Sequence, residues 1–232
     1  MMNANRFAVA ACFCLLLAAC QTSPVEPLAK VSASTAMLLP VSSLHEEMVS
    51  HHEQVAAALT EGLKQERLEV LQPKDWGTQS ETALEASGAI YNPDIGRFLP
   101  LDKKRYTQAL LEQLLPQQSF EVLVMPELVL RSADLDKKML VWDGVHKALP
   151  LEDADRDAPL PKSSKGLSLR VLLYSRDGME IMDGFYGVSI PYLIDYSAGK
   201  PVFRLKSEFF TEEEITDAVR RAMKDISRHL QQ

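Results

Sequence analysis

An apolar segment at the start of the chain most constrains what can fold, because it separates a leader from the residues available for a domain. Residues 7–19 contain no charged side chain, follow the single positive charge of Arg6 and end in small residues. The segment is shorter than the roughly 20 residues that a helix needs to cross a bilayer. This pattern is typical of a secretory signal peptide, which is removed and does not enter the fold. We therefore expect residues 1–19 to be a signal peptide.

The end of this segment carries a specific motif. Residues 17–20, Leu-Ala-Ala-Cys, resemble the lipobox of bacterial lipoproteins. The resemblance implies cleavage between Ala19 and Cys20, diacylglycerol on the Cys20 thiol and a further acyl chain, such as palmitate, on the new N-terminus. One acyl chain holds a protein only marginally, whereas two or three anchor it stably. Because Gln21 follows the cysteine where Asp would imply retention in the inner membrane, the resemblance also implies an outer-membrane lipoprotein with a periplasmic domain.

Cysteine content and charge narrow the possible partners. Cys12 and Cys14 lie in the expected leader, so the mature chain would keep only Cys20 and form no internal disulfide. The formal net charge is −7. That charge argues against nucleic acid, or an anionic membrane surface, as a charge-driven partner. The membrane contact expected here is the lipid on Cys20.

The residues after the cysteine predict a tether and then one domain. Residues 21–35 are rich in Ser, Thr, Pro and Ala and show no apolar periodicity. We expect residues 20–35 to be the lipidated cysteine with a flexible tether that spans about 50 Å when extended. Residues 36–232 are expected to form a single α+β domain.

Apolar periodicity predicts the order of elements in that domain. A strand over residues 36–41, a helix over 46–67 and a second strand over 68–71 give a β-α-β start, which usually means parallel strands. A short helix near 81–86 and a helix from the Asp102 cap to residue 115 follow. Four later segments predict strands at 120–131, 138–149, 168–175 and 179–190. Asp177-Gly178 predicts a hairpin turn between the last two, whereas Asp143-Gly144 fits a turn or a bulge.

The last helix has the clearest boundary signals. Thr211 and Glu214 form a capping-box sequence, and Phe210 with Ile215 can form a hydrophobic staple around it. An apolar stripe then runs from Ile215 to Leu230. The fold expected is therefore a mixed β-sheet with a β-α-β start, later antiparallel hairpin strands and a capped C-terminal helix packed on the sheet.

Histidines and acidic residues offer two weak metal-site patterns. His45, His51 and His52 are close in sequence, but their spacing does not place them together on one helix face. Residues 149–161 carry Asp153, Asp155 and Asp157 at alternating positions, as a calcium loop begins. The sixth position is Ala158 and the twelfth is Ser164, where such a loop needs Gly and Glu. We expect no metal site and no cofactor.

The remaining candidates are one serine and two tyrosines. Ser189, in Gly-Val-Ser-Ile-Pro, matches four of five positions of the nucleophile-elbow pattern and lacks its final Gly. Tyr192 and Tyr196 follow the strands, where exposed tyrosines could contact a partner. Packing in the core or a loop is the simpler interpretation of both tyrosines. Tyr192 and Tyr196 are kept as a possible partner surface. No catalytic residue is expected.

The order of elements on a lipid tether resembles a group of small envelope lipoproteins. The group includes the lipoprotein activators of penicillin-binding proteins, the curli secretion lipoprotein and the amino-terminal domain of the Tol translocation protein. A lipid anchor, a flexible tether, one compact domain and a sequence without a catalytic motif favour a non-enzymatic accessory lipoprotein that binds another envelope component, protein or peptidoglycan. A periplasmic carrier of a small hydrophobic or lipid ligand is the alternative. A deep apolar pocket would favour the carrier, and a filled core with an exposed apolar surface would favour the partner-binding protein.

Overall fold

The protein has an α+β fold. The computed structural model describes residues 30–92, 97–136, 138–152, 163–195 and 202–231. The helices are α1 (His52–Gln65), which follows a 3-10 turn (Glu46–His51), α2 (Trp76–Ser87), α3 (Lys103–Leu114) and α4 (Glu212–His229). The strands are β1 (Val31–Ser32), β2 (Thr35–Leu38), β3 (Ser42–Ser43), β4 (Glu69–Leu71), β5 (Ala89–Asn92), β6 (Arg97–Pro100), β7 (Val122–Asp136), β8 (Met139–Trp142), β9 (Val145–Ala148), β10 (Leu151–Glu152), β11 (Ser163–Ser175), β12 (Glu180–Ser189), β13 (Tyr192–Asp195), β14 (Val202–Leu205) and β15 (Leu230–Gln231).

The main sheet is mixed, with the order β12-β11-β7-β2-β4. Strand β2 pairs in parallel with both β4 and β7, so the β-α-β start is confirmed. Strands β7, β11 and β12 are antiparallel, and the long β7–β11 ladder forms the centre of the sheet. The residues of β2 from Ala36 to Leu38 are buried because layers cover both faces of this strand.

Helices α1 and α4 cover one face of the sheet. Val55 and Leu59 of α1 and Ile215 and Ile226 of α4 are fully buried in one cluster with the strands. The Thr211 hydroxyl accepts from the Glu214 amide, and the Glu214 carboxylate accepts from the Thr211 amide, so the capping box is confirmed. A cap at the start and an apolar stripe along its length hold α4 on the sheet.

Arg221 of α4 does not face solvent. Its guanidinium instead donates to the backbone carbonyls of Asp143 at 3.2 Å and Gly187 at 2.5 Å. The arginine lies beside the buried stripe, and its length lets it reach the edge strand β12 and the β8–β9 turn. It thereby connects the helix to the margin of the sheet.

Two separate layers cover the opposite face. At one end, α2 and α3 pack on the sheet through a cluster that includes Leu110, Phe120 and Leu172. At the other end, the β8–β9 hairpin packs on it through a cluster centred on Trp142. The Trp142 ring lies so close to Gly166 that a Cβ there would stand 2.2 Å from a ring carbon. Within the described ranges, the two layers leave the middle of this face uncovered.

The turn of the β8–β9 hairpin differs from the turn of the β11–β12 hairpin. Asp143 has φ +38° and Gly144 φ +77°, so this pair is a two-residue turn between β8 and β9 and not a bulge. The hairpin between β11 and β12 is confirmed, but only Gly178 of the Asp177-Gly178 pair has positive φ. A longer turn results, in which the Gly178 amide donates to the Ser175 carbonyl at 3.0 Å.

The folded region begins earlier than expected. Val31 and Ser32 pair in parallel with Leu230 and Gln231, and Ala33 is buried. The end of the expected tether therefore belongs to the domain, which starts before residue 36. Helix α2 is also longer than expected, and the first six residues of the expected 46–67 helix form a 3-10 turn. No helix in the described ranges is long and apolar enough to span a membrane.

Candidate functional site

The uncovered middle of the sheet face forms a groove of about 650 Å³, called here the central groove. Strands β3, β7 and β11 form its floor, and α2, β6 and α3 form its wall. It is half open to solvent and is not an enclosed cavity. The apolar residues that line it are Leu44, Trp76, Leu84, Leu99, Met125, Leu128 and Val129. The charged residues that line it are Glu81, Lys103, Glu127 and Arg170.

The floor is polar because neither layer reaches it. Alternate residues of β7 point to this face. Leu123 packs under α3 at one end, Ala133 packs under the β8–β9 hairpin at the other, and Glu127 lies between them. On β11, Arg170 stands opposite Glu127 and has Phe185 of β12 on its other side. A continuous charged strip therefore crosses three strands.

Arg170 organises this strip through two carboxylates. Its Nη1 donates to Glu127 Oε2 at 3.0 Å, while its Nε and Nη2 donate to the two Asp183 oxygens at 2.8 and 2.7 Å. The bond with Arg170 lowers the pKa of the Asp183 carboxyl. The same bond raises the pKa of Arg170, so the guanidinium stays charged. The Phe185 ring lies under Arg170 at 5.1 Å and under Arg131 at 4.0 Å, a cation–π arrangement that fixes both side chains.

Lys103 and Tyr106 bring polar atoms from the first turn of α3. Asp102 caps this helix by accepting from the Lys104 and Arg105 amides at 2.9 and 3.2 Å, as the sequence predicts. Burial, followed by the positive charge of Arg170, lowers the pKa of Lys103. Burial, with the negative charge of Glu127, raises the pKa of Tyr106 to about 12, so its hydroxyl remains protonated. The groove thus presents apolar walls and a small set of fixed charges.

Tyr192 is not an exposed contact residue. Its ring is buried, and its hydroxyl lies 2.7 Å from the Lys165 amide and 2.5 Å from the Lys165 carbonyl. The second part of that possible partner surface, Tyr196, lies outside the described residues. Cys20, Ala19 and the aspartates of the acidic segment also lie outside them. Tyr192 therefore belongs to the core, and the prediction that it forms an exposed partner surface is wrong.

Ser189 and the histidines occupy structural positions. Ser189 lies in β12, is buried and donates to the Phe209 carbonyl, with no strand-to-helix turn at this point. His52 lies 3.0 Å from the Ser43 hydroxyl, and the His51 ring contacts the Phe210 ring at a tilt, with ring centroids 4.9 Å apart. No group of three or more His, Cys, Asp or Glu in the described ranges could hold a metal ion.

The sequence contains one indication of the central groove that apolar periodicity alone does not reveal. Glu127 interrupts the apolar run of residues 122–130, and Arg170 interrupts that of residues 169–173. A charge inside a central strand indicates that one face of that strand lacks a covering layer. The two residues are far apart in the chain, so only the β7–β11 register shows that they meet.

The chain matches no protein-family model, and no curated protein matches its sequence. A functional proposal therefore depends on the residues and their geometry.

Proposed function

We propose that this protein is a non-enzymatic accessory lipoprotein, anchored in the outer membrane by lipid on Cys20, that binds another envelope protein through the central groove. The observation that carries the proposal is the groove itself, which combines apolar side chains with a few charged ones between two core clusters. Exposed apolar side chains adjoin it at Leu44, in the groove, and at Ile90 and Leu101, next to its wall. Apolar surface beside fixed charge is typical of protein interfaces.

The shape and the polarity of the groove favour a protein segment over a small lipid. A carrier buries most of its ligand in a concave and mainly apolar pocket. The central groove is open, and an acyl chain lying on it would cover the Arg170–Glu127 ion pair without offering a hydrogen bond. A peptide segment offers backbone donors and acceptors together with apolar side chains. Its chemistry therefore matches both the floor and the wall.

The position of the chain ends is consistent with this role. Strand β1, the first described element, pairs with β15 at the end of α4. The Glu121 carboxylate, just before β7, accepts from the Ser34 hydroxyl at 3.0 Å and the Thr35 amide at 3.2 Å. The first described residues therefore lie at the end of the sheet where β7 begins, and an anchor on the preceding residues would join the domain from that end. The groove lies further along β7, away from the point at which the lipid would hold the protein.

Capture after crosslinking in cells tests the proposal with a matched pair of variants. Ser80 of α2 lines the groove, and Ser227 of α4 borders the opposite side of the molecule. Both serines are half-buried, and both donate to the carbonyl three residues earlier, at 3.0 and 3.1 Å. Ser80→Trp fills the groove and should abolish capture of a defined envelope protein, whereas Ser227→Trp should retain it. Equal capture by both variants would contradict the proposal.

A further inference from the structure

Lys103 is the cation of the central groove that forms no ion pair with the described residues. Arg170 is paired with Glu127 and Asp183, and Glu180 accepts from the Tyr174 hydroxyl at 3.0 Å. Within the described part of the chain, no carboxylate lies within 4.0 Å of the Lys103 ammonium. Lys103 borders both the central groove and a second hollow on the other side of α3.

The environment of this ammonium favours an added anion. Burial and the nearby Arg170 charge disfavour the charged form, and they outweigh the attraction of Asp183, Glu127 and Glu180, since the net effect lowers the pKa of Lys103. Burying a charged group is costly unless it is paired. An anion brought by the occupant of the groove would supply the missing partner. The three carboxylates are held at a distance, two of them by Arg170, and do not take this place.

Building on the proposed function, we infer that the groove recognises an extended, mainly apolar protein segment with one Asp or Glu, whose carboxylate pairs with Lys103. The apolar side chains of the segment contact Trp76 and Leu84 on the wall. Its backbone groups lie over the polar floor formed by Glu127 and Arg170. Charge complementarity at a single half-buried ammonium then sets the position of the segment along the groove.

Random peptides displayed on phage provide a probe for this recognition. The wild-type domain and its Lys103→Met and Lys104→Met variants are each used for selection, Lys104 being the exposed neighbour on the same helix. Wild type and Lys104→Met should enrich apolar peptides with one acidic residue, and Lys103→Met should lose the acidic preference. One selected peptide is then measured. Its affinity should fall by about fivefold with Lys103→Met in the protein, and by about fivefold with Glu→Gln in the peptide. The two changes together should weaken binding no further than either one alone.

Different results separate this inference from the proposed function. One result would refute the role of Lys103 and leave the groove as a binding site. In that result, Ser80→Trp prevents the selected peptides from binding, but the peptides show no acidic preference and bind Lys103→Met as tightly as wild type. Recovery of no peptide, or of peptides insensitive to Ser80→Trp, would contradict the groove and the inference together. Thermal unfolding of each variant confirms that the lysine substitutions leave the fold intact.

Discussion

The C-terminal helix should contribute to stability in a graded way that follows burial of its side chains. Ile226 is fully buried in the cluster between α4 and the sheet. Truncation to Ala removes about three methylene equivalents at about 0.8 kcal/mol each, and the cavity that remains adds to this loss. We expect Ile226→Ala to lower the free energy of unfolding by about 2–5 kcal/mol, against a total of about 5–15 kcal/mol for a domain.

Two arginines on the same helix provide the comparison. The Arg221 side chain is 22% exposed and donates to two backbone carbonyls, so Arg221→Ala should cost about 1–3 kcal/mol. The Arg220 side chain is 70% exposed and pairs with Asp217 of its own helix. Arg220→Ala should therefore change stability by less than about 0.5 kcal/mol. The expected order of destabilisation is Ile226→Ala, Arg221→Ala, Arg220→Ala.

Denaturant unfolding of the chain from Gln21 onward measures this order through the midpoint, at an unchanged dependence on denaturant concentration. The purified chain has to include Val31 and Ser32, because β1 pairs with the residues that follow α4. Ile226→Ala with wild-type stability would mean that α4 is not docked on the sheet. If Arg221→Ala lowered stability no more than Arg220→Ala, the Arg221 guanidinium would not hold the edge strand.

Two further predictions concern the anchor and the packing of Trp142. Cys20→Ser should abolish incorporation of an alkyne fatty acid, and label on the variant would refute lipidation at Cys20. The labelled wild-type protein should fractionate with the outer membrane, and its recovery with inner-membrane markers would refute that location. Gly166→Ala should cost about 1–3 kcal/mol and shift the tryptophan fluorescence, because a Cβ would stand 2.2 Å from the Trp142 ring. Gly77→Ala, with nothing within 4 Å of the added Cβ, should be neutral or stabilising; equal stability of both alanine variants would contradict the packing around Trp142.

Local patterns were sufficient to predict much of the fold. The Thr211 capping box and the Asp102 cap each depend on residues within one helical turn, and both form as the sequence indicates. The β-α-β start followed from a change of apolar period. Helix α2 was recognised only in part because two of its buried residues, Gln79 and Ser87, are polar, so apolar periodicity does not mark the whole helix.

The central groove could not be predicted because it depends on contacts between distant segments. Arg170 and Glu127 are 43 positions apart and meet only through the register of β7 with β11. Tyr192 was considered for a partner surface on its residue type and its position after the strands, but the distant Lys165 backbone holds its hydroxyl inside the protein. The reach of Arg221 across the sheet edge was missed for the same reason, since periodicity places a residue on a helix and not its neighbours on other elements.

Photocrosslinking in cells from two exposed leucines tests the central claim most directly. A photoreactive phenylalanine analogue replaces Leu44, which lines the groove and is 48% exposed, or Leu205, which lies on β14 and is 58% exposed. Binding through the central groove predicts one discrete crosslinked envelope protein from position 44, lost in the Ser80→Trp background, and none from position 205. Crosslinking from position 205 alone, or a product at position 44 that Ser80→Trp does not affect, would contradict it.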